Sequence, residues 1–174
     1  LRRIGDYAFE SSRLTSLTLP DSFETIGSWA FSYASNLARV DLGGTTTVSD
    51  DTFLNDIALT EVNLRPDLGR LKEIGEDAFG GCTNLTSLVV PASATSVEGV
   101  SNTGVDTLEL GDRVSKLSIV TRGIRNVRHI VVRGGVNGEF YSEGQASNGR
   151  PESAFFGEGM TTFSFWSETP RVIV

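Results

Sequence analysis

Apolar residues recur along the chain in one arrangement, apolar-x-x-apolar-x-apolar. It reads Leu14/Leu17/Leu19, Leu37/Val40/Leu42, Leu59/Val62/Leu64, Leu85/Leu88/Val90, Val105/Leu108/Leu110, Val127/Ile130/Val132 and Met160/Phe163/Phe165. Successive starts lie 23, 22, 26, 20, 22 and 33 residues apart, a register that chance does not sustain and that marks a repeat protein. Within each unit the apolar-x-apolar core predicts a short strand whose alternate side chains point to opposite faces. Leu17 and Leu19 are expected inside, with Ser16 and Thr18 outside. Each unit returns to the same place after a similar length, so successive strands should pair in parallel and stack their aliphatic columns into one core. A lone unit cannot bury its apolar side, and its neighbours must supply the cover.

A second element precedes the first four units: Ile4-Gly5…Ala8-Phe9, Ile26-Gly27…Ala30-Phe31, Val48-Ser49…Thr52-Phe53 and Ile74-Gly75…Ala78-Phe79. Between its halves sit Asp6, Ser28, Asp50 and Glu76. Asp and Ser are good helix N-caps, and Glu suits a helix N-terminus by charge. These segments therefore predict short helical turns that point each Phe between layers.

The unit Ile74-Gly75-Glu76-Asp77-Ala78-Phe79-Gly80-Gly81-Cys82-Thr83-Asn84-Leu85-Thr86-Ser87-Leu88-Val89-Val90-Pro91 resembles the BspA-type leucine-rich repeat of bacterial surface proteins. The resemblance is strongest over residues 1–96. It implies an α/β leucine-rich-repeat right-handed solenoid with one parallel strand per repeat. It also implies surface display and attachment to host or neighbouring-cell protein or glycan. Other leucine-rich classes place Asn after the strand; here Ser22, Thr45, Asp67 and Ser93 stand instead. Their side-chain oxygens are expected to satisfy backbone groups inside the turn. Cys82 takes the family's small-residue slot, with Ser12 and Ala34 at the equivalent places, and reads as a packed core thiol.

From 97 to 174 the Ala-Phe element is lost while the strand pattern persists, so mostly β, degenerate repeats of the same solenoid are expected. Ala154-Phe155 restores something like the missing element before Met160, and residues 134–151 read as an inserted loop or hairpin. Leu1-Arg2-Arg3 leads straight into repeat sequence, and neither end reads as a cap. The chain is therefore expected to be part of a longer solenoid.

Composition narrows the function. The 15 basic and 22 acidic residues give a net charge of −7, which argues against a general nucleic-acid binder. No apolar stretch is long enough to span a membrane. One cysteine supplies no disulfide framework, and one histidine, His129, excludes schemes needing two imidazoles. No serine sits in a Gly-x-Ser-x-Gly elbow. Asp50-Asp51 with Asp56 is better explained by capping and solvation than by calcium, because the ligand spacing of a calcium loop is absent. Gly157-Glu158-Gly159 has no following Lys-Ser/Thr and is no phosphate loop. Asn84-Leu85-Thr86 matches a glycosylation sequon, a short pattern common by chance. No cofactor, metal or catalytic site is expected.

The outward columns carry what remains. The residues between the inward pairs are Thr18, Asp41, Asn63, Val89, Glu109, Val131 and Ser164; those before are Ser16, Arg39, Glu61, Ser87, Thr107, His129 and Thr162. Stacking brings Arg39, Asp41, Glu61, Asn63 and Arg65 together. Such a cluster either docks a protein partner or pairs with itself on a solvated sheet. A second patch runs from Arg113 to Arg133, with six basic residues and no acid, +6 against −13 elsewhere. Its Arg122, Arg125, Arg128, His129 and Arg133 either attract an anion (sulfated glycan, lipid head group or acidic protein) or pair with acids on neighbouring rungs. The expected function is a non-catalytic binding or adhesion module, with a passive spacer as the alternative.

Overall fold

The computed structural model describes residues 1–100, 102–110, 129–132, 153–156 and 172–173. Its strands in chain order are β1 (Arg3–Ile4), β2 (Ser16–Thr18), β3 (Thr25–Ile26), β4 (Arg39–Asp41), β5 (Thr47–Val48), β6 (Glu61–Asn63) and β7 (Glu73–Ile74). There follow β8 (Ser87–Val90), β9 (Ser96–Val97), β10 (Thr107–Leu110), β11 (His129–Val132), β12 (Ser153–Phe156) and β13 (Val172–Ile173).

The strands form parallel ladders. The repeated apolar-x-apolar cores give β2-β4-β6 and, further along, β8-β10-β11, a ladder that β12 and β13, which lie outside those cores, continue. Leu17 pairs in register with Val40 and Val40 with Val62, while Leu88 pairs with Leu108 and Leu108 with Ile130. The vertical ribs read from the spacing are therefore present. A second ladder, β1-β3-β5-β7-β9, lines up Ile4, Ile26, Val48, Ile74 and Val97. It comes from the apolar residue that opens each Ile-Gly element, and it makes a solenoid of about five coils carrying both ladders.

The aromatic rib is continuous. Phe9, Phe31, Phe53 and Phe79 stack at centroid distances of 5.2, 5.4 and 5.4 Å with rings within 10° of parallel, an offset arrangement that suits aromatic faces. Phe31, Phe53 and Phe79 are fully buried. Cys82 is buried as expected, its thiol donating to the Phe53 carbonyl at 3.1 Å.

The helical turns are a correction: among the described residues there is no helix. The reason lies in where the N–H groups go. Those of Tyr7, Phe9 and Ser11 donate to Ser28, Ala30 and Ser32 carbonyls of the next coil at 3.1, 2.7 and 2.8 Å. The alternate ones, of Ala8, Glu10 and Ser12, close local turns to Gly5, Tyr7 and Phe9. A helix would take every N–H for its own turn and leave the neighbouring coil's carbonyls unpaired. Left-handed φ values at Tyr7, Trp29, Asp51 and Asp77, between 49° and 59°, also break any right-handed run.

The capping role fails with the helices. Asp6 Oδ1 accepts from Ser28 N at 2.9 Å, and Asp50 Oδ1 from Glu76 N at 2.9 Å. These carboxylates fasten one coil to the next. Of the four residues expected to serve the turns from inside, Thr45 donates to the Leu42 carbonyl and Ser93 to Leu71 of the preceding coil at 2.7 Å. The exposed Asp67 also serves its turn, its carboxylate accepting from its own backbone N–H and that of Leu68, whereas Ser22 stands exposed. Asp56, read as a capping or solvated acid, is fully buried.

Beyond β11 the next strand of the ladder is β12, with Ile130 opposite Ala154 and Val132 opposite Phe156. Ala154-Phe155 is thus strand rather than a returning turn element. The step from His129 to its partner Ser153 is 153 − 129 = 24 residues, close to the earlier spacing. Met160, Phe163 and Phe165, and the insertion at 134–151, lie outside the described residues.

Candidate functional site

The outward face of β2-β4-β6 is built by register. Ser16, Arg39 and Glu61 stand in one row and Thr18, Asp41 and Asn63 in the next. Parallel pairing of strands three residues long fixes these rows, because the inward residue between them packs on the core, Val40 within it and Leu17 and Val62 against it.

Within the rows the charges find each other. Arg39 Nε lies 3.2 Å from Glu61 Oε2, with side chains 74% and 66% exposed. Asn63 Nδ2 donates to Asp41 Oδ2 at 3.0 Å, and Asp41 Oδ1 accepts from Gly43 N at 2.9 Å. Arg39 meets Glu61, and Asp41 meets Asn63 and Arg65, in neighbouring rows of one face.

Arg65 is the centre of a larger arrangement. Its Nε and Nη2 donate to Asp67 Oδ1 and Oδ2 at 3.0 and 2.9 Å, a two-pronged match of guanidinium to carboxylate. Its Nη1 donates to Asp21 Oδ1 at 2.9 Å and lies 3.6 Å from Asp41 Oδ1. The backbone N–H of Arg65 donates to Asn63 Oδ1 at 3.1 Å, and its φ is 48°. Hydrogen bonding to Asp67 holds the guanidinium still further toward its charged form, and the same bond lowers the Asp67 carboxyl below its ordinary range.

Sequence reading missed Asp21, Asp67 and Arg70 as members of this cluster. Asp21 is 44 residues from Arg65, and the intervening coil passes close to the backbone at Asp21 and to Arg70 through Gly43 and Gly44. A methyl group at Gly44 would lie 1.9 Å from the Asp21 carbonyl oxygen and 2.7 Å from Arg70 Nη1, which donates to that same oxygen at 2.7 Å. The adjacent glycines were the available signal.

Further along, the outward row changes character. Val89, 47% exposed, lies opposite Glu109, which lies opposite Val131. His129 is half-buried in β11, level with Thr107 and Ser153, and its backbone N–H donates to the Asp106 carbonyl at 3.0 Å. Arg122, Arg125, Arg128 and Arg133 lie outside the described residues. Among the described residues no helix is long and apolar enough to cross a membrane, and no group of three metal-binding side chains converges.

Residues 1–118 match, in six copies, the family described as BspA type leucine rich repeat region. No curated protein matches the chain. A crystal structure of a leucine-rich repeat protein of T. pallidum is similar at a TM-score of 0.65 and 22% identity, over 90% of this chain and 67% of that one. A leucine-rich repeat protein from Bacteroides ovatus aligns at a TM-score of 0.43 and 18% identity, over 90% of this chain and 59% of that one. The T. pallidum structure shows the same fold.

Proposed function

We propose that this chain, which belongs to the BspA-type leucine-rich repeat family, is a non-catalytic binding and adhesion module of a bacterial surface protein. Leucine-rich repeats of this kind are in general protein-interaction modules. The observation that carries the reading is the β2-β4-β6 face, where Arg39, Asp41, Glu61 and Asn63 stand in fixed register beside Arg65. A surface of alternating charge on a rigid sheet gives a partner both orientation and selectivity. The partner is a host or neighbouring-cell protein or glycan, and the run of basic charge in the sequence from Arg113 to Arg133, with Arg122, Arg125, Arg128, His129 and Arg133, favours an anionic one.

Immobilised matrix proteins and sulfated glycans test this. The chain is expected to be captured in low salt and released as salt rises. Arg39→Glu with Asn63→Ala should weaken protein capture, and reversal of Arg122, Arg125, Arg128 and Arg133 should weaken glycan capture. A chain captured by none of these probes in low salt would instead act as a passive spacer, the second reading supported by coil-on-coil stacking alone.

A further inference from the structure

Three residues after each ladder phenylalanine, successive coils place Ser12, Ala34, Asp56 and Cys82. Three of the four are small neutral groups, and the third coil alone puts a carboxyl there. Asp56 is 0% exposed. Its Oδ1 accepts from Ala34 N of the second coil at 2.7 Å, while Oδ2 is buried without a partner. Among the described residues no Lys, Arg or His forms an ion pair with it. Its neighbour from the second coil, Ala34, is not titratable. From the fourth coil comes the Cys82 thiol, which shares the Phe53 carbonyl with the N–H of Asp56.

A buried carboxylate with one donor and no counter-ion is costly, and such a group takes up a proton instead. Burial pushes the Asp56 pKa up to about 8, against the smaller opposite pull of the Ala34 hydrogen bond. As a neutral acid the group keeps Oδ1 as the acceptor for Ala34 and carries the proton on Oδ2. As an anion it needs water. The way out is short, since the next residue, Ile57, is 52% exposed.

We propose that Asp56 is a proton-operated lock: protonated, it fastens the third coil to the second, and ionisation loosens the seam between them. Those two coils carry Arg39 and Asp41 on one side and Glu61 and Asn63 on the other. The lock therefore sets how firmly the outward rows are held together as pH changes.

The pH window follows from the two states. In the open coil the carboxyl has its ordinary value, 3.8, and in the closed coil about 8. The lock is fully set below about pH 4, weakens progressively as pH rises, and has lost its whole contribution by about pH 8. Above that it changes no further.

Cys82, the chain's only cysteine, reports the opening because its thiol donates to the Phe53 carbonyl beside Asp56, so it is exposed when the third coil comes loose. The full chain is alkylated with N-ethylmaleimide between pH 5 and 9.5. Each rate is divided by that of the urea-unfolded chain at the same pH, which cancels the thiol's own ionisation. Protection should fall by about tenfold per pH unit up to about pH 8 and then level off. In Asp56→Asn, and in Asp56→Ala, which installs the residue of the second coil, it should stay flat, with circular dichroism confirming the fold. Flat protection in the unsubstituted chain overturns the proposal whatever the variants do. So does an equal fall in either folded variant.

Discussion

Gly27 and Gly5 occupy the same place in consecutive coils, yet alanine at the two should shift stability in opposite directions. A methyl group at Gly27 would lie 2.3 Å from Asp6 Oδ1, 2.6 Å from Asp6 N and 2.7 Å from the Gly5 carbonyl carbon. Those distances are far inside the roughly 3.5–4.0 Å at which carbon contacts become favourable. At Gly5 nothing lies within 4 Å, and its φ is not left-handed. The third coil shows how a side chain there is accommodated. Ser49 replaces the glycine, and its N–H reaches the Ile26 carbonyl at 3.3 Å, whereas Gly27 and Gly75 reach theirs at 2.9 Å. The seam opens by 3.3 − 2.9 = 0.4 Å, and the serine hydroxyl offsets this by donating to the same carbonyl at 2.7 Å. The coil above also carries Ser28 where the first coil carries Asp6. Alanine at 27 has neither compensation. Overpacking costs about 1–3 kcal/mol, and disturbing the Asp6–Ser28 bond adds about 1 kcal/mol. Against these stands a gain of about 0.4–1 kcal/mol from a stiffer unfolded chain. Gly27→Ala should therefore destabilise by about 1–3 kcal/mol, while Gly5→Ala keeps the gain alone. Urea titration followed by far-ultraviolet circular dichroism measures both, and Gly27→Ser should fall between them. If Gly27→Ala matched Gly5→Ala within about 0.5 kcal/mol, the close inter-coil contact argued from Asp6 would be wrong.

Phe53 is buried between two stacked rings, so Phe53→Ala should cost about 3–5 kcal/mol. Phe9 is 42% exposed with one stacked neighbour, and Phe9→Ala should cost clearly less in the same urea titration. At the polar face, Arg65→Ala removes the guanidinium that lowers the Asp67 carboxyl; titration followed by carboxyl-carbon NMR should show the Asp67 pKa rising toward its ordinary value. An unchanged Asp67 would mean that the two-pronged contact does not hold in solution.

The ribs were legible because every inward residue answers to equivalents above and below. Leu17, Val40, Val62 and Leu88 announce themselves by type and spacing. The turns were misread for a related reason. Asp6 before Ala8-Phe9 has the local look of a helix start, but its carboxylate is taken by Ser28, 22 residues on. A rule that reads four or five neighbours cannot see that partner. At the far end two segments fit the apolar pattern, 154–156 and 163–165, and strand pairing with β11 picks the first. Asp56 was displaced in meaning rather than in place. Its position after Phe53 aligned it with Ser12, Ala34 and Cys82, which is the core slot, while its charge suggested the surface.

The same logic separates the two halves of the polar face. Arg65 is held by Asp67, Asp21 and Asp41 and is only 21% exposed along its side chain, so a ligand would have to displace several charge-assisted bonds to use it. It serves as a strut between coils. Arg39 and Glu61 are bound to each other through one contact and stand mostly in water, and exposed pairs of that kind contribute only about 0–1 kcal/mol. A partner carrying both charges can exchange into that pair at little cost, with its own carboxylate on Arg39 and its own cation on Glu61. Binding specificity at this face should therefore follow the order of charge along the row rather than its sum. Exchanging the two, Arg39→Glu with Glu61→Arg, keeps the pair, the net charge and the strut, and changes only that order.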